Sequence, residues 1–285
     1  MYKGYIVALV TPFDKDGNVD LASFEKYVDH IANSGVSGIV VCGSTGESLS
    51  LSEDEKISLV KCACDVAKNR VKVIGGIIEN VTARSVSLIK ACEKYVDAFL
   101  CICPYYIKPS QNQLYEYFKT CAETTDRDII LYNNPGRTAV DLQRPTFEKL
   151  LEIKNIKAVK ECSSDLYRVY WNTRDDFSFL TGNDDMACSA FAMGAVGVVS
   201  VTANVLPELC AKLYNAWENC TDDFEELRDK LAMMHKLMFA EPSPAPAKYA
   251  LAKMGLMENY LRLPLTPVSN ELAAKIDAEL HKLGM

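Results

Sequence analysis

The stretch VKVIGGII at residues 71–78 decides between the two folds that the rest of the chain allows. It begins as a short run of apolar, β-branched residues, which predicts a buried strand, and it then carries two adjacent glycines. An open, doubly wound sheet would normally begin with a G-x-G-x-x-G nucleotide loop, but here Gly75-Gly76 is followed by Ile77-Ile78. No such loop occurs elsewhere in the chain. The stretch therefore favours a closed barrel of parallel strands.

Seven further runs of this kind recur along the chain, with helical segments between them. Together with 71–74 they occupy residues 5–10, 38–42, 98–102, 128–132, 156–160, 177–181 and 197–201. Eight strand-helix repeats in about 220 residues fit an α/β fold of the (β/α)8 TIM-barrel type, which typically takes about 250 residues. The sequence SEDE at residues 52–55 predicts a capping box at the start of one helix.

Strand signals stop after about residue 206, and the rest of the chain is helical in pattern. The Pro-rich sequence EPSPAP at residues 241–246 resembles a polyproline ligand, but a helical pattern resumes at Ala247. We therefore interpret it as a connector between two helices. The predicted organisation is a barrel over residues 1–220 followed by a C-terminal helical extension over residues 221–285.

The composition argues against several classes of protein. The chain has 285 residues with 31 Lys plus Arg against 38 Asp plus Glu, a formal charge of −7, whereas nucleic-acid binders usually carry a basic face. The opening sequence MYKGYIVALVTPF has neither the basic region and cleavage site of a signal peptide nor an apolar run of membrane-spanning length. We expect a soluble cytoplasmic protein with no nucleic-acid or membrane partner.

The cysteines are predicted to be reduced, because their number, 11, is odd and no Cys-x-x-Cys pair occurs. Four of them, Cys42, Cys101, Cys103 and Cys162, fall beside the candidate site motifs described next. We expect them to act as small packing residues. Their position also predicts sensitivity to thiol reagents.

Lys160 ends the run IKAVK at residues 156–160 and is the strongest catalytic candidate. The carboxyl ends of barrel strands face the active site, where desolvation favours the neutral form of an amine. A neutral amine can attack a carbonyl group and form a Schiff base. Position alone leaves the other interpretation open, that Lys160 forms an ion pair with a carboxylate such as Glu161.

The neighbouring strand end supplies two more candidates. Tyr132 ends the run 128–132, one strand away from Lys160, and its phenol could pass protons during Schiff-base formation. A core tyrosine with a bonded hydroxyl is the more common case. Arg137 follows in a Pro-Gly turn, where a guanidinium can hold a carboxylate through two hydrogen bonds, although surface arginines on loops are also common.

The sequence GSTGES at residues 43–48 directly follows the second predicted strand. Its glycines let the backbone turn, so that N–H groups and the hydroxyls of Ser44 and Thr45 converge on a small anion. A Walker phosphate loop would need a Lys-Ser or Lys-Thr pair, which is missing, so a carboxylate is favoured. The pair Tyr105-Tyr106 after the fourth strand is, by itself, typical of packing aromatics.

The sequence gives little support for a metal site or for a serine hydrolase. No two of the three histidines, His30, His235 and His281, have the spacing of metal ligands, and all three fall in predicted helices. No Gly-x-Ser-x-Gly elbow occurs. The pair Asp184-Asp185 is interpreted as a helix start, where carboxylates interact favourably with the helix dipole.

Three motifs taken in order carry a resemblance to a known family. GSTGES at residues 43–48, Tyr132-Asn133-x-Pro135 and Val159-Lys160-Glu161 resemble the lyase family of dihydrodipicolinate synthase and N-acetylneuraminate lyase. The resemblance extends from VTPF at residues 10–13 to RLPLTP at residues 262–267. It implies a (β/α)8 barrel with a C-terminal helical extension, assembled into homo-oligomers: a dimer or a dimer of dimers.

The resemblance also implies roles for individual residues. Lys160 would be the Schiff-base lysine, and Tyr132, Ser44 and Tyr106 would form a proton relay. In the family the tyrosine matching Tyr106 is inserted from the neighbouring subunit, so dimerisation would be a condition for activity. The lysine itself supplies the electron sink, so the implied mechanism needs no metal or organic cofactor.

The remaining implied roles concern substrate binding. Thr45 and adjacent N–H groups would hold the carboxylate of pyruvate, while Gly182 and the carbonyl of Val199 would lie near the pyruvate and the Schiff base. Arg137 is similar to the arginine with which the synthases of this family bind the carboxylate of aspartate semialdehyde.

The implied activity is therefore the condensation of pyruvate with L-aspartate 4-semialdehyde to 4-hydroxy-tetrahydrodipicolinate, in lysine biosynthesis through diaminopimelate. One alternative is another pyruvate-dependent aldolase, acting on N-acetylneuraminate or 2-keto-3-deoxy sugar acids, and Arg137 weighs against it. A non-catalytic paralogue that binds keto acids is less compatible with the intact motifs.

Three departures from the family pattern have consequences. Ser44 stands where many synthases have threonine, which keeps the hydroxyl. The family's Gly-Thr-Gly-x-Asn segment is GIIEN at residues 76–80, which adds bulk near the expected dimer interface. The positions that bind the inhibitor lysine in bacterial members match Leu49, Glu53, Lys56 and Arg84. A cation at Arg84 would repel the ammonium of lysine, so we expect inhibition by lysine to be weak or absent.

Overall fold

A computed structural model describes all 285 residues and confirms the closed barrel of eight parallel strands. In chain order the strands are β1 Gly4–Ala8, β2 Gly38–Val41, β3 Lys72–Ile77, β4 Ala98–Ile102, β5 Asp128–Asn133, β6 Ile156–Glu161, β7 Ser178–Thr181 and β8 Gly197–Ser200. Each strand pairs with the next, and β8 returns to pair with β1. β3 runs further than predicted because Gly75 and Gly76 continue the ladder opposite Phe99 and Leu100.

Helices follow the strands on the outside of the barrel. They are α1 Leu21–Ala32, α2 Glu53–Ala67, α3 Thr82–Cys92, α4 Gln111–Glu123, α5 Pro135–Thr138, α6 Arg144–Leu151, α7 Ala187–Ala192, α8 Pro207–Asn219, α9 Phe224–Leu237, α10 Ala245–Lys253 and α11 Asn270–Lys282. The predicted capping box begins α2: the Glu55 N–H donates to the Ser52 hydroxyl at 3.2 Å, and the Ser52 N–H donates to the Glu55 carboxylate at 2.8 Å. No helix is long and apolar enough to cross a membrane.

Side chains from alternate strand positions fill the barrel lumen as one small core. Its members from β5 to β8 are Ile130, Tyr132, Ala158, Leu180 and Val199. Because strand side chains alternate between the two faces, Ala158 in the lumen places Lys160 on the same face, one step nearer the carboxyl end of β6. The alternation thus directs Lys160 into the mouth of the barrel.

The C-terminal helices pack onto the outside of the barrel. Leu231 of α9, Leu251 of α10 and Ile276 of α11 belong to the same large hydrophobic core as the helices that surround the strands. Residues 241–244 of the Pro-rich sequence lie between α9 and α10, which confirms the predicted helix connector, although α10 already begins at Ala245. The boundary predicted at residues 220 and 221 falls between α8 and α9.

Two details differ from the expectations. The Asp184 carboxylate makes no helix cap; it is buried and accepts the backbone N–H groups of Val201 at 2.8 Å and Thr202 at 3.1 Å, so it anchors the chain after β8. Ile77 and Ile78 are both buried within the chain, Ile77 in the outer core and Ile78 in the lumen core. Their bulk therefore lies inside the barrel wall.

Closure of the barrel depends on a close approach at Gly197. A Cβ atom at this position would lie 2.4 Å from the carbonyl oxygen of Gly4 and 2.9 Å from its backbone nitrogen. Backbone atoms cannot move aside without opening the β1–β8 ladder. We expect Gly197→Ala to lower the free energy of unfolding in urea by at least about 3 kcal/mol.

Gly136→Ala is the matched control, because its Cβ atom would meet only the Asn134 side chain at 3.6 Å. The control should change the free energy of unfolding by less than about 1 kcal/mol. Equal stability of the two variants would contradict this account of barrel closure.

Candidate active site

Lys160 and Tyr132 lie side by side at the carboxyl ends of β6 and β5. Lys160 is 6% exposed, and its Nζ lies 4.4 Å from the centre of the Tyr132 ring. It makes no ion pair, because Glu161 faces the other way and accepts hydrogen bonds from the Asn133 amide at 3.0 Å and Arg168 at 3.4 Å. The alternative interpretation, an ion pair between Lys160 and Glu161, is therefore wrong.

Gly182 follows β7 and lies against the lysine side chain. A Cβ atom there would come within 2.6 Å of Lys160 Cε and 2.2 Å of Cys162 Sγ. The lack of a side chain at Gly182 thus makes the room that Lys160 occupies. The carbonyl-bearing residue expected nearby, Val199, belongs to the lumen core together with Tyr132.

The thiols beside the site are poorly suited to react. Burial raises the pKa of the Cys162 thiol to about 11, although the charge of Lys160 acts in the opposite direction. Burial likewise raises the pKa values of Cys42 and Cys103, and a hydrogen bond with Cys121, together with burial, raises that of Cys101. The thiolate is the reactive form, so these shifts argue against the expected sensitivity to thiol reagents.

The turn at residues 43–48, which we call the hydroxyl loop, follows β2 as a tight, internally bonded structure. The Gly46 N–H donates to the Gly43 carbonyl at 3.0 Å, and the Thr11 hydroxyl donates to the Gly46 carbonyl at 2.7 Å. The hydroxyls of Ser44 and Thr45 make no hydrogen bond to any protein group. Both hydroxyls are thus available to a ligand.

A cavity of about 330 Å³ opens at this end of the barrel. Ser44, Tyr105 and Arg137 line it, and Leu265 contributes from the C-terminal extension. The backbone of Arg137 is held by a hydrogen bond from its N–H to the Asn134 side chain at 3.2 Å. Its guanidinium is exposed and has no carboxylate partner, so it can bind an anionic group of a ligand.

Three polar residues of the site were missed by the sequence analysis. The hydroxyls of Ser48 and Ser243 are buried in the wall of the same cavity and have no protein partner. Asn134 donates from its side-chain amide to the Tyr132 hydroxyl at 3.2 Å. All three lie in or beside motifs that the sequence analysis quoted: Asn134 in the Tyr132 motif, Ser48 at the end of GSTGES and Ser243 in the Pro-rich connector. Nothing in those motifs shows that the two serine side chains face a cavity.

Tyr106 lies apart from this cavity. Its side chain is 87% exposed, and its backbone has a φ of +70°, a left-handed conformation that is unusual for a bulky residue. The structure thus brings Lys160, Tyr132 and Gly182 together and places Ser44 and Arg137 at the mouth. It leaves Tyr106 on the surface of its own chain.

A second cavity, of about 500 Å³, adjoins the first at Leu49 and Tyr105. It contains the expected effector positions Glu53, Lys56 and Arg84. Lys56 is buried and paired with Glu79 at 2.5 Å. No group of three His, Cys, Asp or Glu side chains anywhere in the chain is arranged to hold a metal ion.

Known proteins share this architecture over their full length. The synthase of Parvibaculum lavamentivorans that is named 4-hydroxy-tetrahydrodipicolinate synthase is 41% identical and covers 100% of this chain and 99% of its own. The crystal structure of dihydrodipicolinate synthase from Aquifex aeolicus has a TM-score of 0.96 at 36% identity, covering 99% of this chain and 98% of that one. The chloride-inhibited synthase of Acinetobacter baumannii complexed with pyruvate has a TM-score of 0.95 at 36% identity, covering 100% and 99%.

The match to a family model has the same extent. The model of the dihydrodipicolinate synthetase family matches residues 1–283. The family model covers both the barrel and the helical extension. The chain therefore belongs to the dihydrodipicolinate synthetase family.

Proposed function

We propose that this chain is a lyase that condenses pyruvate with L-aspartate 4-semialdehyde to 4-hydroxy-tetrahydrodipicolinate through a Schiff base on Lys160. The observation that carries the proposal is the amine of Lys160, which lies buried in the barrel mouth without a carboxylate partner. An ion pair would engage the amine, whereas an unpaired amine can attack a ketone. Membership of the family supports the same reaction.

The first half of the reaction uses the inner part of the site. The Lys160 amine attacks the ketone carbon of pyruvate, and loss of water from the resulting carbinolamine gives an imine. The Tyr132 hydroxyl, held by Asn134, is placed to donate and accept the protons of these steps. Ser44 is assigned to the proton relay and Thr45 to the carboxylate of pyruvate, and neither hydroxyl has a protein partner.

The second half uses the outer part of the site. Loss of a methyl proton converts the imine to an enamine, whose carbon attacks the aldehyde of the second substrate. The amino group of that substrate then attacks the imine carbon and displaces the Lys160 amine, which closes the ring and frees the lysine. Arg137 is assigned to the carboxylate of that substrate, because its guanidinium lines the cavity and is unpaired. Gly182 leaves room for the imine, and the carbonyl of Val199 is assigned to its neighbourhood.

We further infer that the active unit is a homo-oligomer, a dimer or a dimer of dimers, in which Tyr106 completes the site of the neighbouring subunit. The strained and exposed conformation of Tyr106 supports this assignment, because its own chain gives the ring nothing to pack against. Exposed apolar side chains of Leu49, Val81 and Ile107 lie on the loops after β2, β3 and β4. A second copy of the chain would cover them.

Borohydride reduction in the presence of pyruvate tests the Schiff base directly. We expect a reduced pyruvate adduct on the peptide that contains Lys160, detected by mass spectrometry, and no adduct in Lys160→Met. Lys157→Met is the matched control on the same strand, because Lys157 is turned outward and paired with Asp176. An adduct on any other lysine, or none in the native enzyme, would overturn the mechanism.

Subunit complementation tests the role of Tyr106. Tyr106→Phe should lower kcat about 100-fold, since it removes a proton-transfer group. When the inactive Lys160→Met and Tyr106→Phe proteins are unfolded together and refolded as mixed dimers, one site of each mixed dimer regains both groups. Random pairing should then restore about a quarter of the native activity. If Tyr106 acts within its own chain, the mixture will stay inactive.

Inhibition by L-lysine should be weak or absent. In the second cavity the Lys56 ammonium is paired with the Glu79 carboxylate. Arg84 carries a positive charge at a position where a ligand ammonium would need a carboxylate. Arg84→Glu should therefore lower the lysine concentration required for inhibition. Half-inhibition of the native enzyme at submillimolar lysine would contradict this prediction.

A further inference from the structure

The hydroxyl loop is tied to the C-terminal extension by a buried ion pair. Glu47, three residues after Ser44, accepts a hydrogen bond from Lys248 Nζ of α10 at 2.6 Å. Its other carboxylate oxygen accepts the backbone N–H of Arg262 at 3.1 Å. The side chains of Glu47 and Lys248 are both 0% exposed, so the contact lies wholly inside the protein.

The lysine of this pair is held in a fixed direction. Besides Glu47, Lys248 Nζ donates to the carbonyl oxygen of Tyr260 at 2.6 Å and lies 4.1 Å from the centre of the Phe13 ring. Well-packed apolar residues would stabilise such an interface about as well as a buried ion pair, so stability alone does not account for it. The ion pair also fixes the orientation of the Glu47 carboxylate, because hydrogen bonds have preferred directions.

Arg262 holds the chain just beyond the same loop. Its guanidinium donates to the carbonyl oxygen of Ser50 at 2.7 Å and to that of Gly17 at 2.8 Å. It also donates twice to the Glu55 carboxylate, at 2.9 and 2.5 Å. The extension therefore fixes the side chain of Glu47 and the backbone at Ser50.

The loop's internal bonds connect Glu47 to the substrate-facing hydroxyls. The Glu47 N–H donates to the carbonyl oxygen of Ser44 at 3.2 Å, and Glu47 itself is in the left-handed conformation, with a φ of +54°. A residue in this conformation needs surrounding contacts to keep it there. A change in the direction of the Glu47 side chain would therefore turn the peptide units that carry Ser44 and Thr45.

We propose that Lys248 is a positioning residue for pyruvate binding: through Glu47 it holds the hydroxyl loop so that Thr45 and the adjacent N–H groups meet the carboxylate of pyruvate and Ser44 keeps its place in the relay. The assignment rests on the proposed function, and it makes the C-terminal extension a working part of the site. Misplacement of a binding group by about 1 Å can cost about 100-fold in rate, so a loosened loop should be visible in kinetics.

The test compares Lys248→Met with the native enzyme by borohydride trapping over a range of pyruvate concentrations. We expect the half-saturating pyruvate concentration to rise about tenfold or more, while the KM for aspartate semialdehyde changes less than threefold. A general loss of structure would change the values for both substrates. Lys253→Met is the control, since Lys253 on the same helix pairs with Asp277 inside the extension at 3.2 Å and should leave both values unchanged.

A second variant covers the case in which Lys248→Met fails to fold because Glu47 is left buried and unpaired. Glu47→Gln with Lys248→Met removes both charges and should keep its thermal unfolding midpoint by circular dichroism near the native value. A higher half-saturating pyruvate concentration in this folded double variant than in the native enzyme supports the proposal. A half-saturating pyruvate concentration equal to the native value in either folded variant overturns it. Absence of trapping in the native enzyme would overturn the proposed function itself.

Discussion

The amine of Lys160 lies in the barrel mouth with the face of an aromatic ring as its neighbour and no carboxylate to neutralise it. Strand geometry imposes this arrangement. Lys160 and Glu161 are adjacent, so the alternation of β6 sends the lysine into the lumen and the glutamate toward the helices. Arg168 and Asn133 then satisfy the carboxylate there. The reactive amine is available because the nearest acid in sequence is engaged elsewhere.

Much of the surrounding structure keeps the Lys160 amine apart from the Glu161 carboxylate. Barrel closure at Gly197 keeps the strands in register, and the register sets Tyr132 opposite Lys160. Gly182 leaves space for the lysine side chain, while the hydroxyl loop and Arg137 approach from neighbouring strand ends. The site is thus a product of strand order, and its members come from the ends of β2, β5, β6 and β7.

The sequence predicted the features that depend on local pattern. Eight apolar runs located the strands within a few residues, and motif order pointed to Lys160, Tyr132 and the loop after β2. Features that depend on distant contacts were not predictable. Glu47 and Lys248 are 201 positions apart, and neither carries a local signal of pairing. The anchoring role of Asp184 was missed for the same reason, since its partners follow a different strand.

The contribution of Ser243 and Leu265 to the outer cavity has a consequence for how this enzyme can diverge. The proposed Schiff-base lysine is encoded in the barrel, whereas part of the wall of the cavity that Arg137 lines is encoded in the extension. Changes around these two positions, away from Lys248 and Arg262, can therefore alter the choice of aldehyde without altering the proposed chemistry on Lys160. Activation and selection can evolve along separate parts of one chain.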